Sequence, residues 1–211
     1  FTDNVDVELG GSSASDGNTI AHNGFDGVFI GDAASERISI RNNSIHSNGE
    51  LGIDLEADGV TANDANDADV GANNLQNFPI VASATAGAGE VRVTGSLSST
   101  PDTTFRIEIF ASEAGDPSGH GEGQYPLGSF NVTTDATGLA TFDQTLSLAD
   151  ELFNLLPSGM VPLSLGDSTV VTATATDLAG NTSEFSAMHA ITGTLEPTPA
   201  PTPAPSPSPS P

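Results

Sequence analysis

The sequence predicts an all-β protein: a short parallel β-helix, then an immunoglobulin-like β-sandwich, then a polyproline II tail. Three observations carry this. A frame rich in asparagine and glycine recurs near the start, with Asn18 repeated at Asn43. A series of short, alternating apolar stretches follows, separated by turn residues. The chain then ends in proline at every second position from Pro197.

The repeat comes first. Residues 18–30 align with residues 43–55, a shift of 25 (18 to 43), in the frame N-[TS]-I-x-x-N-G-x-x-G-[VI]-x-[IL]. Val28 and Ile30, like Ile53 and Leu55, flank a single residue, which is strand alternation. Ile38 and Ile40 form a further short strand of the same type. Val5, Val7 and Leu9 alternate likewise and read as a preceding, irregular coil. Asn23-Gly24 and Asn48-Gly49 are expected to supply positive φ at corners. A period in the twenties with such strands signals a parallel β-helix, in which each coil buries its inward residues against its neighbours. Residues 1–56 are assigned to it. So few coils need caps. The end at Phe1 reads as uncapped, and an upstream part, another domain or another subunit is expected to cover it.

Residues 57–79 read as a joint rich in Asp and Asn. Such a loop buries little apolar surface, and its charges must be solvated, hydrogen-bonded or neutralised by a cation. Asp58, Asp64, Asn66, Asp67 and Asp69 offer hard oxygen ligands at close spacing, which suits calcium. The EF-hand spacing and its closing glutamate are absent. The alternative is a plain solvated loop.

Residues 80–193 read as the sandwich. Strands are expected at 80–84, 90–97, 104–111, 125–133, 139–146, 168–177 and 184–191, with Gly, Pro, Asp and Asn in the turns. Residues 148–156 instead show helical spacing stopped by Pro157, a short helix that plugs one end of the sandwich or docks a neighbour. In the tail, residues 194–211, proline fixes φ and enforces an extended spacer. Thr198, Thr202, Ser206, Ser208 and Ser210 alternate with proline there, the pattern of O-glycosylated stalks, or of a bare spacer to a cell wall.

The frame at residues 18–30 and 43–55 resembles bacterial secreted right-handed parallel β-helix repeat proteins. GIDLEADGVTANDANDADVGANNLQNFP at 52–79 is similar to the segment that ends their solenoid. TTFRIEIFAS at 103–112 and TATATDLAGNTSEFS at 172–186 look like the immunoglobulin-like module that follows it. The resemblance covers residues 15–191. It implies right-handed coils, export and an extracellular or cell-surface location, and says little about chemistry. The chain departs from these proteins in its few coils, its 146–167 insert and its proline tail.

Composition narrows the function classes. The chain carries 28 acidic residues against four basic ones, all arginine, for a net charge of −24. Such a chain repels nucleic acid and anionic membranes and favours cations. With no cysteine, thiol chemistry and disulfides are excluded. No apolar run reaches membrane-spanning length.

Asn42, Asn131 and Asn181 head N-x-[ST] triplets of little weight. His22 and His46 fall in successive coil turns, where they could approach each other, but a pair alone is weak for zinc. Glu36, Arg37, Arg41 and Asp54 could be cast as groups of a β-helix polysaccharide lyase, though charged outward residues are the plainer reading.

The expected function is a non-enzymatic extracellular structural protein, a self-assembling subunit of a cell-surface fibre, joined head-to-tail as a homopolymer. A carbohydrate-binding or adhesion module, with glycans or cell wall as partner, is one alternative. A polysaccharide-acting β-helix enzyme is the other.

Overall fold

The computed structural model describes residues 5–56, 59–87, 89–147 and 169–193. The protein is all-β. Its sheets are two or four strands wide and of mixed parallel and antiparallel type, and no α-helix occurs among the described residues. The expected helix at 148–156 and the tail lie outside them, as do Asp58, Thr198, Thr202, Ser206, Ser208 and Ser210.

The N-terminal part holds six strands: β1 (Val5–Gly10), β2 (Thr19–Ala21), β3 (Val28–Ile30), β4 (Glu36–Arg41), β5 (Ser44–His46) and β6 (Ile53–Leu55). They form three parallel pairs, β1 with β4, β2 with β5 and β3 with β6. Ile20 pairs with Ile45 and Val28 with Ile53, the 25-residue register of the sequence repeat. Val7 pairs with Ile38, a register of 31. The extra length is taken up between β1 and β2, where Ser13 caps a 3-10 turn at Ala14–Asp16. Val28, Ile30, Ile38, Ile40, Ile53 and Leu55 are all at most 5 % exposed and share one core. Each such burial contributes about 1.5–3 kcal/mol.

The corners differ from expectation. Positive φ falls at His22 (60°) and Ser47 (57°), one residue before each Asn-Gly, and neither Gly24 nor Gly49 is left-handed. Gly49 is required for space instead: a Cβ there would lie 2.5 Å from the carbonyl oxygen of Gly24.

The C-terminal part holds β7 (Ile80–Gly87), β8 (Glu90–Ser98), β9 (Thr104–Ser112), β10 (Tyr125–Thr133), β11 (Leu139–Ser147), β12 (Val170–Thr176), β13 (His189–Ala190) and β14 (Thr192–Gly193). The sheet orders are β10-β9-β12-β13 and β11-β8-β7-β14. Alternation sends Val91 and Val93 from one sheet, and Phe105, Ile107 and Ile109 from the other, into a common core where all five are fully buried. The strand expected at 184–191 does not form as one piece. Only β13 lies within that range, and residues 183–186 bond to β12 through Ser183 and Ser186 instead.

The acidic loop is not the sole link between the two parts. The even-numbered residues of β9 point away from the core shared by the two four-stranded sheets, and Phe110 joins the core of the N-terminal strands with Phe185. Their rings meet edge-on with centroids 5.2 Å apart. The N-terminal strands therefore lie directly on the outer face of the β9–β12 sheet.

Candidate functional site

The site grows out of one problem. Among the described residues each of β1 to β6 pairs with one other strand, so each pair has two outer edges of backbone N–H and C=O groups. Buried edge groups without partners cost about 1–3 kcal/mol each. The two edges are treated differently.

The edge of β4, β5 and β6 is closed by the C-terminal part. Asn73, fully buried in the loop, accepts from Ile38 N at 2.9 Å and donates to Ile38 O at 2.8 Å, replacing a neighbouring strand. The Arg37 and Ile40 N–H groups donate to Asn181 Oδ1 (2.7 Å) and Thr182 Oγ1 (2.9 Å). Ile45 exchanges two 2.9 Å backbone bonds with Gly123. Three buried glutamates complete the closure. Glu108 accepts from Asn42 N (3.2 Å), Glu122 from Asn48 N (3.1 Å) and Glu184 from Leu55 N (3.0 Å). Burial pushes Glu184 up to about 7, with Asp54 adding to the rise and the Leu55 and Thr61 N–H groups opposing it. It raises Glu108 and Glu122 too, against the hydrogen bonds of Arg106 and Asn48.

The repeat asparagines run through this arrangement as a ladder. Asn18 donates its backbone and side-chain N–H to Asn43 Oδ1 at 3.0 and 3.1 Å. Asn23 donates the same pair to Asn48 Oδ1 at 3.2 and 2.8 Å. Asn48 then donates its own pair to Glu122. The opposite edge, along β1, β2 and β3, meets no strand among the described residues.

The acidic loop is organised by its asparagines. Asn63 bonds both N and O of Phe78, and Asn77 bonds both N and O of Asp64 and the carbonyl of Ser98. Of the five expected ligands, Asp64, Asp67 and Asp69 come together, with one oxygen of each within 4.8 Å of the others. Asn66 is turned towards Gly138, where a Cβ would stand 2.6 Å from its Oδ1. Asp67 accepts from Ser99 Oγ (2.5 Å) and Asn77 N (2.8 Å). Burial still pushes it up to about 6, with Asp69 and Asp64 adding to the rise. Asp69 Oδ1 is buried and has no hydrogen-bond partner among the described residues. Three crowded carboxylates with an unused oxygen fit a hard divalent cation.

Other sequence candidates fall elsewhere. The His22 and His46 rings approach edge-on at 5.8 Å. Arg37 pairs with Asp6, Arg41 with Glu8, Arg92 with Asp143 and Arg106 with Glu108. A cleft of about 400 Å³ is lined by Asp26, Glu50, Asp54 and Asp116 and by no basic residue. Asn181 is buried, with its side chain committed to Arg37 N and Asp177, so its triplet offers no glycan acceptor.

The edge-closing residues were missed from sequence. Glu108 left one signal, a carboxylate flanked by Ile107 and Ile109 inside a strand. No protein-family model matches the chain, and no curated protein matches it.

Proposed function

We propose that this is a non-enzymatic extracellular structural protein, a subunit of a cell-surface fibre. In this reading β1 to β6 are coils of a short right-handed parallel β-helix, and the β7–β14 module is an immunoglobulin-like sandwich that terminates it. One observation carries the proposal: one edge of the paired strands is closed by buried side chains, while the other meets no strand among the described residues. A bare strand edge recruits further chain, and a subunit with one closed and one open end extends an assembly in one direction.

Calcium is proposed at Asp64, Asp67 and Asp69, where it would neutralise the loop beside the coil–sandwich junction. The proposed role of residues 194–211 is a spacer to the wall, glycosylated at Thr198, Thr202, Ser206, Ser208 and Ser210. The engagement of every arginine with a carboxylate, and a cleft lacking any base of high pKa, favour this reading over a polysaccharide-acting enzyme. Head-to-tail self-association does not pair the β1–β3 edge with the β4–β6 edge of the next copy, because the latter is covered by its own sandwich.

Negative-stain microscopy of native surface material, labelled with antibody to the chain, is expected to show decorated fibres. Monodisperse particles over a range of protein and calcium concentration would overturn the proposal.

A further inference from the structure

The β1–β3 edge, unpaired among the described residues, carries marks of what covers it. Gly49 lacks a side chain because the Gly24 carbonyl lies where its Cβ would be. Gly24 occupies the equivalent place one repeat earlier, yet a Cβ there would meet nothing within 4 Å, and its φ is not left-handed. Neither the backbone nor any neighbour among the described residues demands glycine at 24. A chain stacked above it would.

The asparagines say the same in hydrogen bonds. Asn43 Oδ1 and Asn48 Oδ1 each receive two N–H groups from the asparagine 25 residues earlier. Asn18 Oδ1 and Asn23 Oδ1 receive none from the described residues. Their own N–H groups are already spent downward, so the bare edge offers acceptors at these two places.

We propose that the β1–β3 edge is a stacking surface for one further coil, running parallel and carrying the frame Asn-[Thr/Ser]-Ile-x-x-Asn-Gly. This rests on the β-helix reading of β1 to β6. The incoming asparagines donate backbone and side-chain N–H to Asn18 Oδ1 and Asn23 Oδ1, and the carbonyl of the incoming glycine lies over Gly24. A second copy of the chain does not supply this coil. Its β4–β6 edge is covered by its own sandwich, and two bare edges brought together set acceptor against acceptor at the asparagines.

The test grafts such a coil onto the full chain: a copy of residues 36–55 followed by a copy of residues 31–35, placed directly before Val5. Hydrogen exchange is then followed at residues 19–30. Exchange is expected to slow about ten-fold or more on the graft, the effect of one to two kcal/mol of added protection. The slowing should vanish when the asparagines copied from Asn43 and Asn48 are replaced by alanine. It should also vanish with Gly24→Val, at a position where an added Cβ meets nothing within 4 Å in the ungrafted protein. A graft that exchanges as unfolded chain and leaves residues 19–30 unprotected overturns the proposal. So does a graft that protects them equally with Val at position 24, or protection of the same amides by dimers of the ungrafted protein. Graft failure with fibres still present in native material retires the coil partner and leaves the structural reading standing.

Discussion

Asn48 donates its backbone and side-chain N–H to the carboxylate of Glu122, at 3.1 and 2.6 Å, just as Asn23 donates the same two groups to Asn48. Glu122 thus stands in for the next asparagine of the repeat and ends the ladder. Glu122→Ala leaves the Asn48 backbone N–H without its acceptor and the side-chain amide with the Ile20 carbonyl alone, and is expected to cost about 2–3 kcal/mol, a fall of about 4–12 °C in thermal midpoint. Glu122→Gln keeps an oxygen for Asn48 and should stay within about 1 kcal/mol. Urea titration of the two variants separates them.

Asn73 is expected to be as sensitive. It is fully buried and bonds Ile38 N, Ile38 O and Thr182 O. Asn73→Ala strands three buried backbone groups and introduces alanine at φ 48°. The expected loss is about 3 kcal/mol or more, read from chemical denaturation. A change under about 0.5 kcal/mol would show that the loop does not close the β4 edge.

Gly24 and Gly49 should behave oppositely despite occupying equivalent places. Gly49→Ala drives a Cβ to 2.5 Å from the Gly24 carbonyl oxygen and is expected to cost about 1–3 kcal/mol. Gly24→Ala enters open space and should change stability by no more than about 0.5 kcal/mol. Equal losses at both would contradict the stacking of residue 49 beneath residue 24.

Stability should rise as pH falls from 8 to about 5. Burial holds Asp67 at about 6 and Glu184 at about 7, above their unfolded values. Their folded forms favour the proton, so each is a liability above its folded pKa, and that liability disappears as pH drops towards the unfolded value. The net charge of −24 pushes the same way. Below about pH 4 the trend reverses, because Asp135 and Asp143 have lowered values, and the stability they contribute is lost on protonation. Urea midpoints in chelator should peak near pH 5. A steady rise from pH 5 to 8 would contradict the buried carboxyls.

Calcium should act at the loop. At a hundred times its dissociation constant it is expected to add about 2.7 kcal/mol. Asp69→Asn should abolish that gain. Asp67→Asn should abolish it too, while raising stability in chelator by removing a buried charge. Identical thermal midpoints with calcium and with chelator would remove the metal from the account.

The repeat was legible because its residues recur at one spacing and pair at that spacing, as Ile20 with Ile45 and Val28 with Ile53. The alternating strands were legible because Val91, Val93, Phe105, Ile107 and Ile109 bury one face. The closure of the β4–β6 edge was not. Glu108 and Asn42 are 66 residues apart, and Glu184 and Leu55 are 129 apart, so no local pattern links them. Asn63, Asn73 and Asn77 gave no sign of their roles, because an amide that replaces backbone looks, in sequence, like one that faces water. The expected strand at 184–191 failed for a related reason: Ser183 and Ser186 hydroxyls take the β12 N–H groups that strand pairing would use.

Hydrogen exchange of the isolated, dilute protein tests the central claim most directly. The edge amides of Ile38, Ile40, Asn48 and Leu55 are expected to exchange slowly, because Asn73, Thr182, Glu122 and Glu184 hold them. Amides along the outer edge of β1, β2 and β3 should exchange rapidly. Fast exchange at the first set, or equal protection of both edges, would contradict a molecule closed at one edge and open at the other.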